Sequence, residues 1–268
     1  MPEKREKECN IVEKREICYT KLSAEGSGEG HMMDLYLREI RLESTKTPKK
    51  YPFCLPAVKS LGTLRLEKPV TFFVGENGTG KSTLLEAVAI NYGFNAEGGS
   101  KNFRFTTVES HSELHEHIRL VKGIRRPQDG YFLRAESFYN VISEIDDKDL
   151  AGYYGGNSLH SCSHGEGFWA LVTERFFGQG LYFLDEPEAA LSPTRQMALL
   201  SRMHQLVKEK SQFIIATHAP ILLAYPDADI YELTQEGIHR VAYRDTETYQ
   251  VTKRFLQNPE GMLDILLR

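Results

Sequence analysis

Hydrophobic and polar positions follow two different periods along this chain. Short apolar runs at residues 70–74, 181–184 and 213–217 are bounded by polar or turn-forming residues, which is typical of buried strands. Between these runs lie longer segments whose apolar residues recur every three or four positions, as in helices that cover a core. The regular succession of strands and helices predicts an α/β fold with a mostly parallel sheet and helices on both faces.

The order of elements can be predicted from the same pattern. Strands at 34–43 and 64–66 come first, where apolar residues alternate with polar ones. The elements that follow are a strand at 70–74, a helix at 81–92, a strand at 131–135, a helix at 165–177, a strand at 181–184, a helix at 188–209 and a strand at 213–217. A β-hairpin at 230–233 and 238–243 turns at Glu236 and Gly237, so an antiparallel β portion accompanies the parallel sheet.

Composition excludes several classes of protein. Of the 268 residues, 41% are hydrophobic, which is enough for one large core. The formal net charge of −4 is spread along the chain, so no basic field indicates a nucleic-acid partner. Apolar runs stay far below the ~20 residues of a membrane span, and no secretory signal opens the chain, so we expect a cytoplasmic protein. Four cysteines without a C-x-x-C pair predict neither disulfides nor a zinc site.

The first 32 residues differ from the rest. They are rich in Lys and Glu, lack an apolar period and include a Gly/Ser-rich stretch at 25–30. We interpret residues 1–32 as an N-terminal tail, either native or introduced by cloning, because Gly30-His31-Met32 is a common cloning scar. Residues 33–268 are predicted to form one domain.

A phosphate-binding loop is predicted at residues 75–82. The sequence G-E-N-G-T-G-K-S fits G-x-x-x-x-G-K-[ST] and lies directly between a strand and a helix. Glycines let backbone N–H groups surround a phosphate, and the helix N-terminus adds partial positive charge. Lys81 is predicted to bridge the β- and γ-phosphates of ATP, and Ser82 to bind Mg²⁺. The predicted nucleotide-binding residues here are Gly75, Glu76, Asn77, Gly78, Thr79, Gly80, Lys81, Ser82 and Thr83.

Two acids follow the apolar strand at 181–184. Asp185 and Glu186 are placed at the carboxyl edge of the sheet, where open α/β folds bind ligands. Asp185 can therefore hold Mg²⁺, and Glu186 can act as general base toward the attacking water. Taken alone, two acids there could also be an ordinary polar strand end.

Four segments resemble the motifs of ABC-type ATPases, in the order of that family. Besides the phosphate loop, residues 184–193 (L-D-E-P-E-A-A-L-S-P) resemble the Walker B and D-loop segment, especially that of the soluble RecF, chromosome-maintenance and OLD branches. Residues 161–167 (S-C-S-H-G-E-G) resemble the ABC signature, and residues 216–218 (A-T-H) resemble the switch loop. The resemblance covers about residues 35–243 and is strongest to short stand-alone bacterial ATPases.

The resemblance implies ATP hydrolysis by a head-to-tail homodimer with ATP at its interface. The phosphate loop of one copy would face the signature of the other, within a helical lobe at about 100–178. Ser163 and Gly165 would then contact the γ-phosphate, and the backbone N–H groups at that helix start suit an anion. Read without the resemblance, the same segment is only a helix cap. His218 would reach the γ-phosphate and join Lys81 and Glu186 as a catalytic residue.

Some features depart from the family pattern. Glu136 occupies the place of the usual Q-loop glutamine, where it could serve the metal or the water, or simply cap a helix. His111, His115 and His117 are predicted to lie on a solvated helix face rather than to bind metal.

The expected role is DNA maintenance or defence against mobile elements, with nucleic acid or an effector protein as the partner. The alternatives are a transporter ATPase subunit and an ATP-gated binding module without turnover.

Overall fold

A computed structural model of the protein describes residues 35–43, 50–100, 112–134 and 164–268. The predicted tail at 1–32 lies outside these residues. The strands are β1 (Leu37–Leu42), β2 (Thr63–Arg65), β3 (Val70–Val74), β4 (Gly99–Ser100), β5 (Ile118–Lys122), β6 (Asp129–Arg134), β7 (Gly180–Asp185), β8 (Gln212–Ala216), β9 (Asp229–Thr234) and β10 (Gly237–Arg240). The helices are α1 (Pro56–Lys59), α2 (Lys81–Tyr92), α3 (Leu114–His117), α4 (His164–Arg175), α5 (Pro193–Lys208), α6 (Pro220–Leu223), α7 (Glu247–Gln257) and α8 (Pro259–Leu266).

The larger sheet contains seven strands in the order β10-β9-β3-β8-β7-β6-β4. Its five central strands are parallel, and β10 and β4 pair antiparallel at the two edges. In the middle, Ile215 of β8 lies between Phe72 of β3 and Leu184 of β7. Every residue of β3, β7 and β8 is buried because helices or a second sheet cover both faces. The predicted α/β class with a mostly parallel sheet is confirmed.

Two apolar clusters lie on opposite faces of this sheet. On one face, α4 and α5 cover alternate strand residues such as Tyr182 and Leu184. On the other face, Phe73 and Phe183 pack in one cluster with residues of α2 and of a three-stranded antiparallel sheet in the order β2-β1-β5. This small sheet, together with the confirmed hairpin β9-β10, is the predicted antiparallel portion.

One predicted helix boundary is wrong. The helix expected at 188–209 is divided into a 3₁₀ turn, Pro187–Ala190, and α5, which begins at Pro193. The side chain of Ser192 accepts a hydrogen bond from Arg195 N–H at 3.4 Å, and Pro193 takes the first helical position, where its missing N–H costs nothing. The break leaves Glu186 and the residues after it on a turn beside the sheet edge.

The histidine prediction also needs a correction. His115 and His117 are half-buried on the short helix α3, whereas a solvated face was expected. His117 packs edge-on against the Phe53 ring, with ring centroids 4.7 Å apart, and His115 Nδ1 lies 2.9 Å from Ser112 O. Packing of α3 on the loop before α1 explains the difference. His111 lies outside the described residues.

Across the part of the chain that the structure covers, no helix is both long and apolar enough to cross a bilayer. The two C-terminal helices, α7 and α8, contain no buried residue. They follow a 3₁₀ turn at Tyr243–Asp245 and were not predicted from the sequence.

Candidate functional site

The loop between β3 and α2 depends on three glycines. Gly75, Gly78 and Gly80 have φ angles of +142°, +81° and +102°, a region that side-chain-bearing residues rarely adopt. Gly75 also lies against β9, because an added Cβ there would be 2.2 Å from the Leu233 carbonyl oxygen. An added Cβ on Gly78 would meet no atom within 4 Å. The loop is therefore packed at its start and open at its middle.

This difference leads to a prediction about stability. Gly75→Ala should lower the free energy of unfolding by about 2–4 kcal/mol, because a strained φ combines with a clash against the backbone of β9. Urea denaturation followed by circular dichroism measures the loss. Gly78→Ala is the matched control, with the same kind of strain but open space, and should cost only about 1 kcal/mol. Equal midpoints for the two variants would contradict the packing argument.

Lys81 lies at the bottom of this loop. It is only 4% exposed, and its Nζ donates a hydrogen bond to Glu76 O at 2.9 Å. Burial lowers the pKa of Lys81, while three nearby carboxylates, led by that of Glu186, act in the opposite direction. The ammonium is thus held inside the loop, where a phosphate group could replace the Glu76 carbonyl as its partner.

Ser82 and Asp185 meet at the start of α2. Ser82 Oγ donates a hydrogen bond to Asp185 Oδ1 at 2.8 Å, although the two residues are 103 positions apart. A hydroxyl and a carboxylate are hard oxygen ligands of the kind that Mg²⁺ prefers, with water completing its octahedral shell. The residues present therefore fit the metal predicted from the sequence.

Glu186 and His218 lie at the ends of the neighbouring strands β7 and β8. The Glu186 backbone is left-handed, with φ +48°, and its N–H donates to Ala216 O at 2.9 Å. Its carboxylate oxygen lies 3.6 Å from His218 Nε2, a buried atom with no hydrogen-bond partner among the described residues. Burial and the charge of Lys81 lower the pKa of His218, which favours the neutral imidazole.

Glu188, for which the sequence predicts no role, also contributes to this edge. Its Oε2 accepts a hydrogen bond from Thr217 Oγ1 at 2.8 Å, and its Oε1 accepts one from the backbone N–H of His218. The only sequence signal is a second acid two positions after Glu186.

A polar cleft of about 480 Å³ opens beside the phosphate loop. Thr83 lies in its wall, with its Oγ1 2.9 Å from the hydroxyl of Tyr51. Arg134 and Glu86 also line the cleft, and Arg134 Nη1 forms an ion pair with Glu86 Oε2 at 2.6 Å that joins the end of β6 to α2. The sequence did not predict this pair, because no spacing rule relates two residues 48 positions apart.

The predicted signature residues are only partly described. Ser163 and Glu136 lie outside the described residues. Gly165 lies at the start of α4, and an added Cβ would be 2.7 Å from Ala190 O and 2.9 Å from Arg195 Nη1. Its described neighbours are thus the turn after Glu186 and α5 of the same chain, and contact with a partner's phosphate stays a prediction.

Two sequence models of known domains match this chain. One, described as an AAA domain, matches residues 58–146, which include the phosphate loop. The other is an AAA domain whose description also names the AbiEii toxin and a type IV TA system, and it matches residues 159–224, which include Asp185, Glu186 and His218. No curated protein matches the chain.

Several solved structures are similar at low identity. The SMC head domain from Thermotoga maritima is 16% identical, with 78% of this chain and 99% of that chain covered and a TM-score of 0.41. CbiO1 from Clostridium perfringens, described as part of the ABC transporter complex CbiONQ, is 15% identical over 84% and 96% of the two chains, with a TM-score of 0.46.

The two domain matches divide the site between them, one covering the phosphate loop and the other the acids and the histidine. Within one parallel sheet, these residues meet at the carboxyl ends of β3, β7 and β8. Both parts of the site therefore lie in segments that match models of AAA domains.

Proposed function

We propose that the protein binds MgATP, hydrolyses it to ADP and phosphate, and does so when two copies close head to tail over the nucleotide. The observation that carries the proposal is the Ser82–Asp185 hydrogen bond of 2.8 Å. It unites the two proposed metal ligands directly beside the buried ammonium of Lys81. The residues proposed to bind phosphate and those proposed to bind Mg²⁺ thus lie side by side.

Each residue of the site has a proposed task. The N–H groups of residues 75–82 and Lys81 hold the phosphates, and Lys81 exchanges the Glu76 carbonyl for a phosphate oxygen. Ser82 and Asp185 would hold Mg²⁺, which when bound neutralises charge on the phosphates. The proposed metal site therefore lies at the junction of α2 and β7.

Glu186 is the proposed general base. Its side chain is 40% exposed, so a water molecule can reach the carboxylate, which accepts the proton as the water attacks. In the neutral form that its lowered pKa favours, and with its proton on Nε2, His218 can donate a hydrogen bond to a γ-phosphate oxygen. That buried nitrogen has no hydrogen-bond partner among the residues that the structure describes, which supports this role.

The dimer rests on the resemblance to the ABC family rather than on described contacts. Ser163 and the start of α4 in one copy would contact the γ-phosphate held by the other, so one subunit alone would lack part of the site. The biological role that we propose is a nucleotide-gated ATPase in DNA maintenance or in defence against mobile elements. The description of the second matching domain, which names a toxin system, supports the defence role.

Phosphate release by the purified protein tests this proposal. The rate per subunit should rise with protein concentration, because turnover needs two copies. Chelation of Mg²⁺ should abolish it. A protein without Mg²⁺-dependent phosphate release at any concentration would contradict the proposal and favour a binding module.

Ser163→Arg should lower turnover by about tenfold or more, because a bulky cation would replace the small hydroxyl at the proposed interface. The affinity of the monomer for ATP should stay unchanged by calorimetry. Ser201→Arg, on the exposed side of α5, is the control. Turnover at the wild-type rate in Ser163→Arg would refute the proposed role of the signature.

A further inference from the structure

Glu188 binds two consecutive residues at the end of β8 with both oxygens of its carboxylate. Oε2 accepts the hydroxyl proton of Thr217, and Oε1 accepts the backbone N–H of His218. Hydrogen bonds to an ionised carboxylate are about twice as strong as those between neutral groups. This one side chain therefore connects the turn after Glu186 to the loop that carries His218.

The carboxylate of Glu188 accepts a backbone hydrogen bond directly after the end of β8, where no strand continues. Thr217 N–H donates to Phe73 O at 3.1 Å, a backbone bond to β3 directly after the end of β8. The next amide, that of His218, donates to Glu188 instead. Thr217 is fully buried, and its Oγ1 also accepts the N–H of Ala219 at 3.0 Å, so three successive residues are fixed in one network.

Among the described residues, the His218 side chain forms no hydrogen bond comparable to these. Its Nε2 makes no hydrogen bond within the described ranges and lies 3.6 Å from the nearest Glu186 oxygen. The position of the imidazole is thus set by its backbone, and Glu188 holds that backbone. Since both Glu188 oxygens are engaged, this carboxylate is poorly placed to accept a proton from water itself.

We infer that Glu188 is a positioning residue, which holds the peptide of His218 so that the imidazole faces the γ-phosphate. This inference rests on the proposed function for its effect on turnover. The hydrogen bonds that carry it do not depend on nucleotide. The geometry and the catalytic consequence can therefore be tested separately.

A double-mutant cycle tests the catalytic consequence. Glu188→Ala should lower kcat about 10- to 100-fold, the equivalent of one charged hydrogen bond, and leave the affinity for ATP within about threefold. In a His218→Ala background the same change should cost less than about twofold, because Glu188 acts through that histidine. Glu188→Gln, whose amide oxygen can still accept the His218 N–H, should fall between wild type and alanine. Glu236→Ala, an exposed acid, is the control.

The amide of His218 gives a readout without ATP. Selective ¹⁵N labelling of the nine histidines gives a short set of backbone peaks, and the one lost in His218→Ala belongs to His218. This peak should lie downfield in wild type and move upfield in Glu188→Gln and further in Glu188→Ala, because a charged acceptor is weakened and then removed. If the alanine variant fails to fold, the glutamine variant still decides the outcome.

Two results would overturn the inference. An unchanged His218 amide in the glutamine variant would show that the carboxylate does not hold this peptide. Full additivity of the two substitutions would show that Glu188 acts independently of His218. A wild type without turnover would instead contradict the proposed function and leave the amide shift to decide the role of Glu188.

Discussion

Lys81→Ala should abolish ATP binding that calorimetry detects in the wild type. The ammonium is buried among three carboxylates, and its only described hydrogen-bond acceptor is the Glu76 carbonyl of its own loop. Removal of the cation leaves Asp185 and Glu186 to face a triphosphate without a compensating charge. The loss should exceed about 3 kcal/mol, which corresponds to more than a hundredfold in the dissociation constant.

The matched control is Lys208→Ala, a change of the same type on the exposed end of α5. It should bind ATP with the affinity of the wild type. Thermal unfolding of both variants distinguishes loss of the site from loss of the fold. Ordinary affinity in a folded Lys81→Ala protein would remove the assignment of the phosphate loop.

The parts of the fold that the sequence predicts best are those where local and global signals agree. The apolar run of β3 leads into a glycine loop and then into α2, whose predicted bounds match the structure. Gly80 and Gly93 flank this helix in left-handed conformations, so both ends of the helix can be predicted from the positions of the glycines. Here burial, glycine placement and helix periodicity all favour the same elements.

Other elements depend on contacts between distant residues and could not be predicted in this way. Strand β4 has two residues and pairs with β6, and β5 gains its place by pairing with β1. The start of α5 was misread because the acids after β7 continue a helical pattern, although Ser192 and Pro193 are a recognisable start signal. Short strands whose pairing partners are remote in sequence have too few residues for a hydrophobic period to predict them.

The residues of the candidate site also fall into a group that the sequence predicts and a group that it does not. Parallel strands bring their carboxyl ends to one edge, so the phosphate loop, Asp185 and His218 could be predicted to converge. Glu188 and the Glu86–Arg134 pair could not, since each bond joins residues whose separation follows no local rule. Topology thus predicts which strand ends meet, whereas the side chains that hold these ends together are seen only in the three-dimensional structure.

Glu186→Gln should leave ATP binding intact and lower turnover by about 10²- to 10⁴-fold, the usual contribution of a general base. Glutamine keeps the shape of the side chain but cannot accept the proton of the attacking water. The neutral amide also removes one negative charge from the edge where the γ-phosphate is proposed to lie. ATP should therefore persist, and with it the closed dimer that the nucleotide holds together.

Light scattering and phosphate release measure these two effects on the same sample. With MgATP, Glu186→Gln should have the mass of two 30.6 kDa chains, whereas the double variant with Lys81→Ala should stay monomeric because it binds no nucleotide. Glu260→Gln, on the exposed helix α8, is the matched control and should behave as wild type. A Glu186→Gln protein that binds ATP and stays monomeric would count against the head-to-tail dimer while leaving the phosphate loop intact, since Lys81 and Glu186 report on different halves of the proposal.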